Sequence, residues 1–127
     1  MSAESIKILL VDDDDFLLDM YSVKFKEEGF IIDIASSGLS ALEKLKHSVY
    51  DAVLLDIVML ALDGFEVLTR IKKERLAEKS TIIILSNLGQ KEDIERGLAL
   101  GAQDYIIKAH FTPREVVEKV KHHLSKK

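Results

Sequence analysis

The chain has 127 residues, which sets the expectation of one domain spanning 1–127, and it carries no cysteine, which excludes a disulfide framework and thiolate chemistry. Its formal net charge of −4 argues against nucleic acid as a direct partner, because phosphate binding needs a basic surface. Met1–Ser5 carries an acid and no basic cluster, and the apolar run that follows, Ile8–Val11, is too short for a leader peptide or a membrane span, so the expected location is the cytoplasm.

Ile8–Val11 is a near-continuous apolar run, the pattern of a strand buried on both faces, and it ends in Asp12-Asp13-Asp14-Asp15. A helix is expected over Phe16 to Glu28, with Phe16, Met20 and Val23 on its inner face and Gly29 just past its end. Asp14 and Asp15 then read as its cap. Phe30–Ala35, broken by Asp33, reads as an edge strand. Leu39 to Lys46 gives a second helix that groups Leu42, Leu45 and Val49. Ala52–Leu55 is another buried strand and hands over to Asp56. Asp63 and Glu66 have the spacing of a capping box in front of a helix over Gly64 to Leu76. Thr81–Leu85 is the fourth strand and ends in Ser86-Asn87. Lys91 to Leu100 is a short helix with Ile94 and Leu98 inward. Tyr105–Ile107 is a short edge strand that ends at Lys108. The last helix starts with Thr112 as cap, Pro113 in the first turn and Glu115 closing the box, and its inner face is Val116, Val117, Val120 and Leu124. The basic stretch Lys119 to Lys127 reads as cations favoured at a helix end.

Strand and helix thus alternate five times. That implies an α/β fold with a parallel five-stranded sheet and helices on both faces. Polar-marked second and fifth strands suit the flavodoxin-like, doubly wound (βα)5 order 2-1-3-4-5, in which ligands bind beyond the carboxyl ends of the strands. At that edge Asp12, Asp13, Asp56, Ser86 and Lys108 should converge: three carboxylates, a hydroxyl and an ammonium. Clustered carboxylates repel unless a positive charge sits among them, and a hard cation with oxygen ligands answers that need. Mg²⁺ is the expected ion, with Mn²⁺ as the alternative. A carboxylate beside Mg²⁺ is a known kind of phosphoryl acceptor, and the ammonium and hydroxyl suit the phosphoryl oxygens.

From about Lys7 to Leu124 the chain resembles the CheY-like receiver domains of two-component response regulators. The segments that carry the resemblance are Ile8-Leu9-Leu10-Val11-Asp12-Asp13, Leu54-Leu55-Asp56-Ile57-Val58-Met59, Leu62-Asp63-Gly64, Ile84-Leu85-Ser86 and Gly101-Ala102-Gln103-Asp104-Tyr105-Ile106-Ile107-Lys108. The resemblance implies that Asp56 is the phospho-acceptor. It implies that Asp12 and Asp13 position Mg²⁺, with Asp13, Asp56 and the Val58 carbonyl as direct ligands. Ser86 would be the switch hydroxyl, Lys108 the lysine that pairs with the phosphoryl group, and Tyr105 the aromatic that swings inward with Ser86. The readout would be the surface of Lys91–Leu100, Tyr105–Ile107 and the last helix. Read without the resemblance, Tyr105 is edge-strand packing. The implied partners are a sensor histidine kinase or a histidine phosphotransfer protein and a protein target, with no membrane and no direct nucleic acid. The implied state is a monomer or a phosphorylation-dependent dimer. The chain is expected to act alone or as an excised receiver fragment, and to catalyse only its own phosphorylation and dephosphorylation.

Several positions depart from the family. Leu60 and Ala109 stand where receivers commonly carry proline, and the Lys108–Ala109 bond is either trans with a rearranged loop or cis under strain. Val58 and Leu88 offer no side-chain hydrogen bond to an attacking water, so slow loss of the phosphoryl group is expected. His47, His110, His122 and His123 lack metal-site spacing and read as surface residues, with His110 nearest the pocket. Two rival readings are a haloacid dehalogenase-type phosphatase using Asp12-x-Asp14, which Phe16 disfavours, and a receiver-like module that binds without phosphorylation. A flavodoxin-type nucleotide site is disfavoured by the acidic first loop.

Overall fold

A computed structural model describes residues 6–125. Residues 1–5, read above for a leader, and Lys126–Lys127 of the basic tail lie outside the described residues. The elements run β1 (Lys7–Val11), α1 (Asp15–Glu27), β2 (Ile31–Ala35), α2 (Gly38–His47), β3 (Ala52–Leu55), α3 (Gly64–Lys73), β4 (Thr81–Ser86), α4 (Lys91–Ala99), β5 (Asp104–Ile107) and α5 (Pro113–Ser125). All strand pairs are parallel and the order is β2-β1-β3-β4-β5, as the alternation predicts. Among the described residues no helix is long and apolar enough to cross a membrane.

The central strands are apolar on both sides because both sides are covered. Leu9, Val11, Val53, Leu55 and Ile84 pack with α2 and α3, through Leu42, Leu45, Phe65, Leu68 and Ile71. Ile8, Leu10, Leu54, Ile83 and Leu85 pack with α1 and α5, through Leu18, Tyr21, Phe25, Val116, Val117 and Val120. At about 25 cal/mol per Å² of apolar surface, these two layers supply the dominant stabilisation.

The helix starts follow their caps. Asp14 accepts from the amides of Phe16 and Leu17. Asp63 and Glu66 complete a capping box for α3, and Thr112 and Glu115 form the reciprocal pair at α5, at 3.1 and 2.8 Å.

Three inner faces differ from the sequence expectation. In α1, Phe16 and Val23 are exposed, and Leu18, Tyr21, Ser22 and Phe25 are buried instead. Two apolar stripes interleave on this helix, and the one facing Ile8, Leu10 and α5 is selected. Val49 falls past the end of α2 and is 73% exposed. In α4 the buried position is Gly97, while Leu98 faces outward. The ring of Tyr105 and the tip of Ile84 occupy the space beside Gly97, so the helix approaches β5 through a residue without a β-carbon.

Candidate functional site at the carboxyl edge of the sheet

Strand register brings the site together. Val11 pairs with Leu55, so Asp12 and Asp56 leave the sheet side by side. Ser86 pairs with Ile107, so Asn87 and Lys108 also leave as neighbours. The Asp56 amide donates to the Val11 carbonyl at 3.0 Å, and the Asp12 amide donates to Ala35 at 3.1 Å, which fixes both backbones. Gly64 stands at the start of α3, where a β-carbon would overlap the Asp56 carbonyl oxygen. Only glycine lets α3 come this close to the end of β3.

An open cleft results, lined by Asp12, Asp13, Asp14, Leu17, Asp56, Val58, Ser86, Asn87, Leu88 and Lys108. Every site residue expected from the sequence except Tyr105 is in this lining. Lys108 Nζ lies 2.6 Å from Asp12 Oδ2 and 3.2 Å from Asp56 Oδ2. The remaining carboxylate oxygens face amides: Asp12 Oδ1 accepts from Asp14 N–H at 2.9 Å, and Asp56 Oδ1 from Ile57 N–H at 2.7 Å. Asp12, Asp56 and Ser86 are buried, while Asp13 is exposed.

Electrostatics show a site short of positive charge. Burial pushes the Asp12 carboxyl above its ordinary value, against the hydrogen bond from Lys108, and the neighbouring Asp56 charge adds to the rise. Burial works against the Lys108 ammonium, but its hydrogen bond to Asp12 and the Asp56 charge outweigh that and hold it protonated above the ordinary lysine value. One ammonium thus faces three carboxylates. Asp12, Asp13 and Asp56 each offer an oxygen within 4.8 Å of the others. This donor set, all oxygen and partly open to solvent, fits a small hard divalent cation that keeps waters of its own.

The second half of the cleft is a turn. Ser86 Oγ accepts the Leu88 N–H at 3.2 Å, and the Leu88 carbonyl accepts the Tyr105 hydroxyl. Tyr105 therefore lies outside the cleft lining and is joined to Ser86 through one residue. Burial, together with the charges of Asp93 and Asp56, pushes the Tyr105 phenol up to about 12.

Both positions that depart from proline use the amide hydrogen that proline lacks. Leu60 N–H donates to Asp13 Oδ2 at 3.1 Å, and the chain then passes through Ala61 in the left-handed region, with φ 63°. Ala109 N–H donates to Asn87 Oδ1 at 2.8 Å. No cis peptide bond occurs among the described residues, so the Lys108–Ala109 bond is trans, and Lys108–His110 form a 3₁₀ turn. The sequence marks both departures and names Asn87 only as the end of the fourth strand, without a role; its position one residue past Ser86, facing a non-proline residue past Lys108, is the available signal.

His110 and His122 are exposed, and His47 lies 2.9 Å from Glu43. His123 Nε2 lies 2.8 Å from Asp104. None of them lines the cleft.

Comparison with known proteins agrees with this geometry. The profile of the family described as response regulator receiver domain matches residues 8–121. A transcriptional regulatory protein, the CpxR homolog of Haemophilus influenzae, is 41% identical over 117 residues, covering 91% of this chain and 48% of that protein. The transcriptional regulatory protein SrrA of Staphylococcus aureus is 36% identical, covering 92% of this chain and 47% of that protein. The chain spans about half the length of these curated relatives. The solved receiver domain protein of Methanospirillum hungatei superposes with a TM-score of 0.87 at 30% identity, covering 95% of this chain and 94% of that one. The receiver domain of a Francisella response regulator gives the same score and identity, with 96% and 98% coverage.

Proposed function

The chain belongs to the response regulator receiver domain family, and from that premise we propose that Asp56 accepts a phosphoryl group in a Mg²⁺-dependent reaction and that the acyl phosphate switches the surface of α4, β5 and α5. The observation that carries the reading is the position of Lys108 Nζ against Asp12 and Asp56, 2.6 and 3.2 Å away, in a cleft that also holds Ser86 and Asp13.

In the reaction a carboxylate oxygen of Asp56 attacks phosphorus, an O–P bond forms, and the P–N bond of a phosphohistidine breaks. The leaving imidazole nitrogen keeps the electron pair and carries or regains a proton. Bound by Asp12, Asp13, Asp56 and the Val58 carbonyl, Mg²⁺ would neutralise charge on the phosphoryl oxygens. Lys108 supplies a further positive charge, and it is held protonated for that role. Ser86, buried beside the acceptor, donates its hydroxyl hydrogen to a phosphoryl oxygen.

Switching needs contacts that differ between two states. Here the differential contacts are those of Ser86 and Lys108 to the phosphoryl group. A shift of Ser86 pulls on Leu88, and through the Leu88 carbonyl on Tyr105. The donor is a sensor histidine kinase or a phosphotransfer protein, and the target is a protein that reads the α4-β5-α5 face. The test is incubation with a small-molecule phosphodonor and Mg²⁺, followed by intact mass of wild type and Asp56→Asn. A gain of one phosphoryl group that needs Mg²⁺ and is lost in the variant supports the reading. No gain in the wild type contradicts it and leaves a phosphorylation-independent binding module.

A further inference from the structure

Lys108 does its work at the cleft, but its side chain is only as well aimed as the loop that carries it. That loop leaves β5 at Ile107 and turns at once through the 3₁₀ segment Lys108–His110, closed by the Phe111 amide on the Lys108 carbonyl at 3.3 Å. Within the segment the Lys108 side chain is largely buried, whereas Ala109 and His110 are exposed. Packing therefore does little to fix the backbone just past Lys108. Across the cleft edge, Asn87 follows Ser86 directly, and its Oδ1 takes the Ala109 N–H at 2.8 Å. This bond exists because residue 109 is not proline and keeps an amide hydrogen.

We propose that Asn87 is a positioning residue for Lys108, its side-chain carbonyl holding the Ala109 amide so that the backbone presents the ammonium to Asp12 and Asp56. Two covalent steps and one hydrogen bond then join the residues that face the phosphoryl group: Ser86 to Asn87, Asn87 to Ala109, and Ala109 to Lys108. A movement of the Ser86 turn is passed to the lysine loop by the same bond. Both partners sit at the surface, where water competes for the amide, so the bridge adds little to global stability. Its effect is on alignment, and small misplacements of a reacting group cost large factors in rate.

The part of this inference that concerns phosphoryl transfer rests on the function proposed for Asp56; the bridge itself does not. The test uses the full chain as wild type, Asn87→Ala and Asn87→Asp, the last of which keeps an acceptor oxygen. Two readouts need no phosphodonor: hydrogen exchange of the Ala109 amide and the ε-methylene resonances of Lys108. In Asn87→Ala, Ala109 exchange should speed by about tenfold or more and the Lys108 resonances should shift, with the thermal midpoint close to wild type. Asn87→Asp should restore both. A third readout is the rate of transfer from a small phosphodonor with Mg²⁺, expected to fall on the order of tenfold in Asn87→Ala.

Unchanged Ala109 exchange in Asn87→Ala, or Lys108 resonances that stay in place, overturns the proposal. So does a wild-type transfer rate in that variant when Ala109 is deprotected. A wild type that takes up no phosphoryl group while both resonance readouts respond as expected supports the bridge and refutes the role given to Asp56.

Discussion

Ser86 and Tyr105 hold the two ends of one residue: Leu88 gives its N–H to Ser86 Oγ at 3.2 Å, and its carbonyl takes the Tyr105 hydroxyl. A buried side chain at the cleft is thereby tied to an aromatic ring on the outer strand by a single residue. The ring reaches that carbonyl past Gly97 of α4.

Gly97→Ala tests this link. The added carbon would lie 2.5 Å from the tip of Ile84 and 3.1 Å from the Tyr105 ring. Overpacking of this kind costs about 1–3 kcal/mol, partly offset by the roughly 1 kcal/mol that alanine gains over glycine in a helix. The ring should leave its inward position. Its phenol, now pushed up to about 12 chiefly by burial, should then ionise at lower pH, nearer the ordinary value of 10. Ultraviolet titration of the variant against wild type reads the shift; an unmoved Tyr105 titration contradicts the packing account.

Asp13→Asn removes one charge from the acidic triad while leaving a carbonyl to accept the Leu60 amide. Relief of repulsion should raise metal-free stability by about 1 kcal/mol, the scale of neighbouring charges in partly solvated surroundings. Mg²⁺ should raise the thermal midpoint of the wild type, and by less in the variant. Thermal melts across a Mg²⁺ series measure both. Equal responses in the two proteins would place the ion elsewhere.

Val58 and Leu88 line the cleft, and neither side chain can orient a water by hydrogen bonding. The phosphoprotein should therefore decay slowly. Val58→Asn or Leu88→Asn should speed its decay on the order of tenfold by aligning the attacking water. Following the phosphorylated mass with time after removal of the donor gives the rates, and variants that decay no faster than wild type argue against this cause.

Much of this architecture can be read directly from residue pattern. Continuous apolar runs identify the strands, and the break at Asp33 and the shortness of Tyr105–Ile107 identify β2 and β5 as edges. Asp63 with Glu66 and Thr112 with Glu115 mark helix starts that the structure reproduces, because caps are local chemistry. The inward faces of α1 and α4 were less accessible. Phe16, Met20 and Val23 form as good a stripe as Leu18, Tyr21 and Phe25, and only the surface against which α1 packs selects between them. Gly97 carries no apolar signal although its bareness is what the Tyr105 ring requires. Asp12, Asp56, Ser86 and Lys108 could be expected to share one cleft because each stands at the end of a strand, and parallel register aligns strand ends. The bonds from Leu60 to Asp13 and from Ala109 to Asn87 could not be expected in advance, since each depends on where a loop amide points. What the sequence offers at both places is the absence of proline.

The central claim is that Asp56, and no other carboxylate of the cleft, carries the phosphoryl group. The most direct measurement is to phosphorylate the protein with a small phosphodonor and Mg²⁺, trap the acyl phosphate by borohydride reduction to homoserine, and locate the modified residue by peptide mass spectrometry. The account predicts homoserine at position 56 alone. Modification at Asp12 or Asp13, or at no aspartate in the cleft, would contradict it.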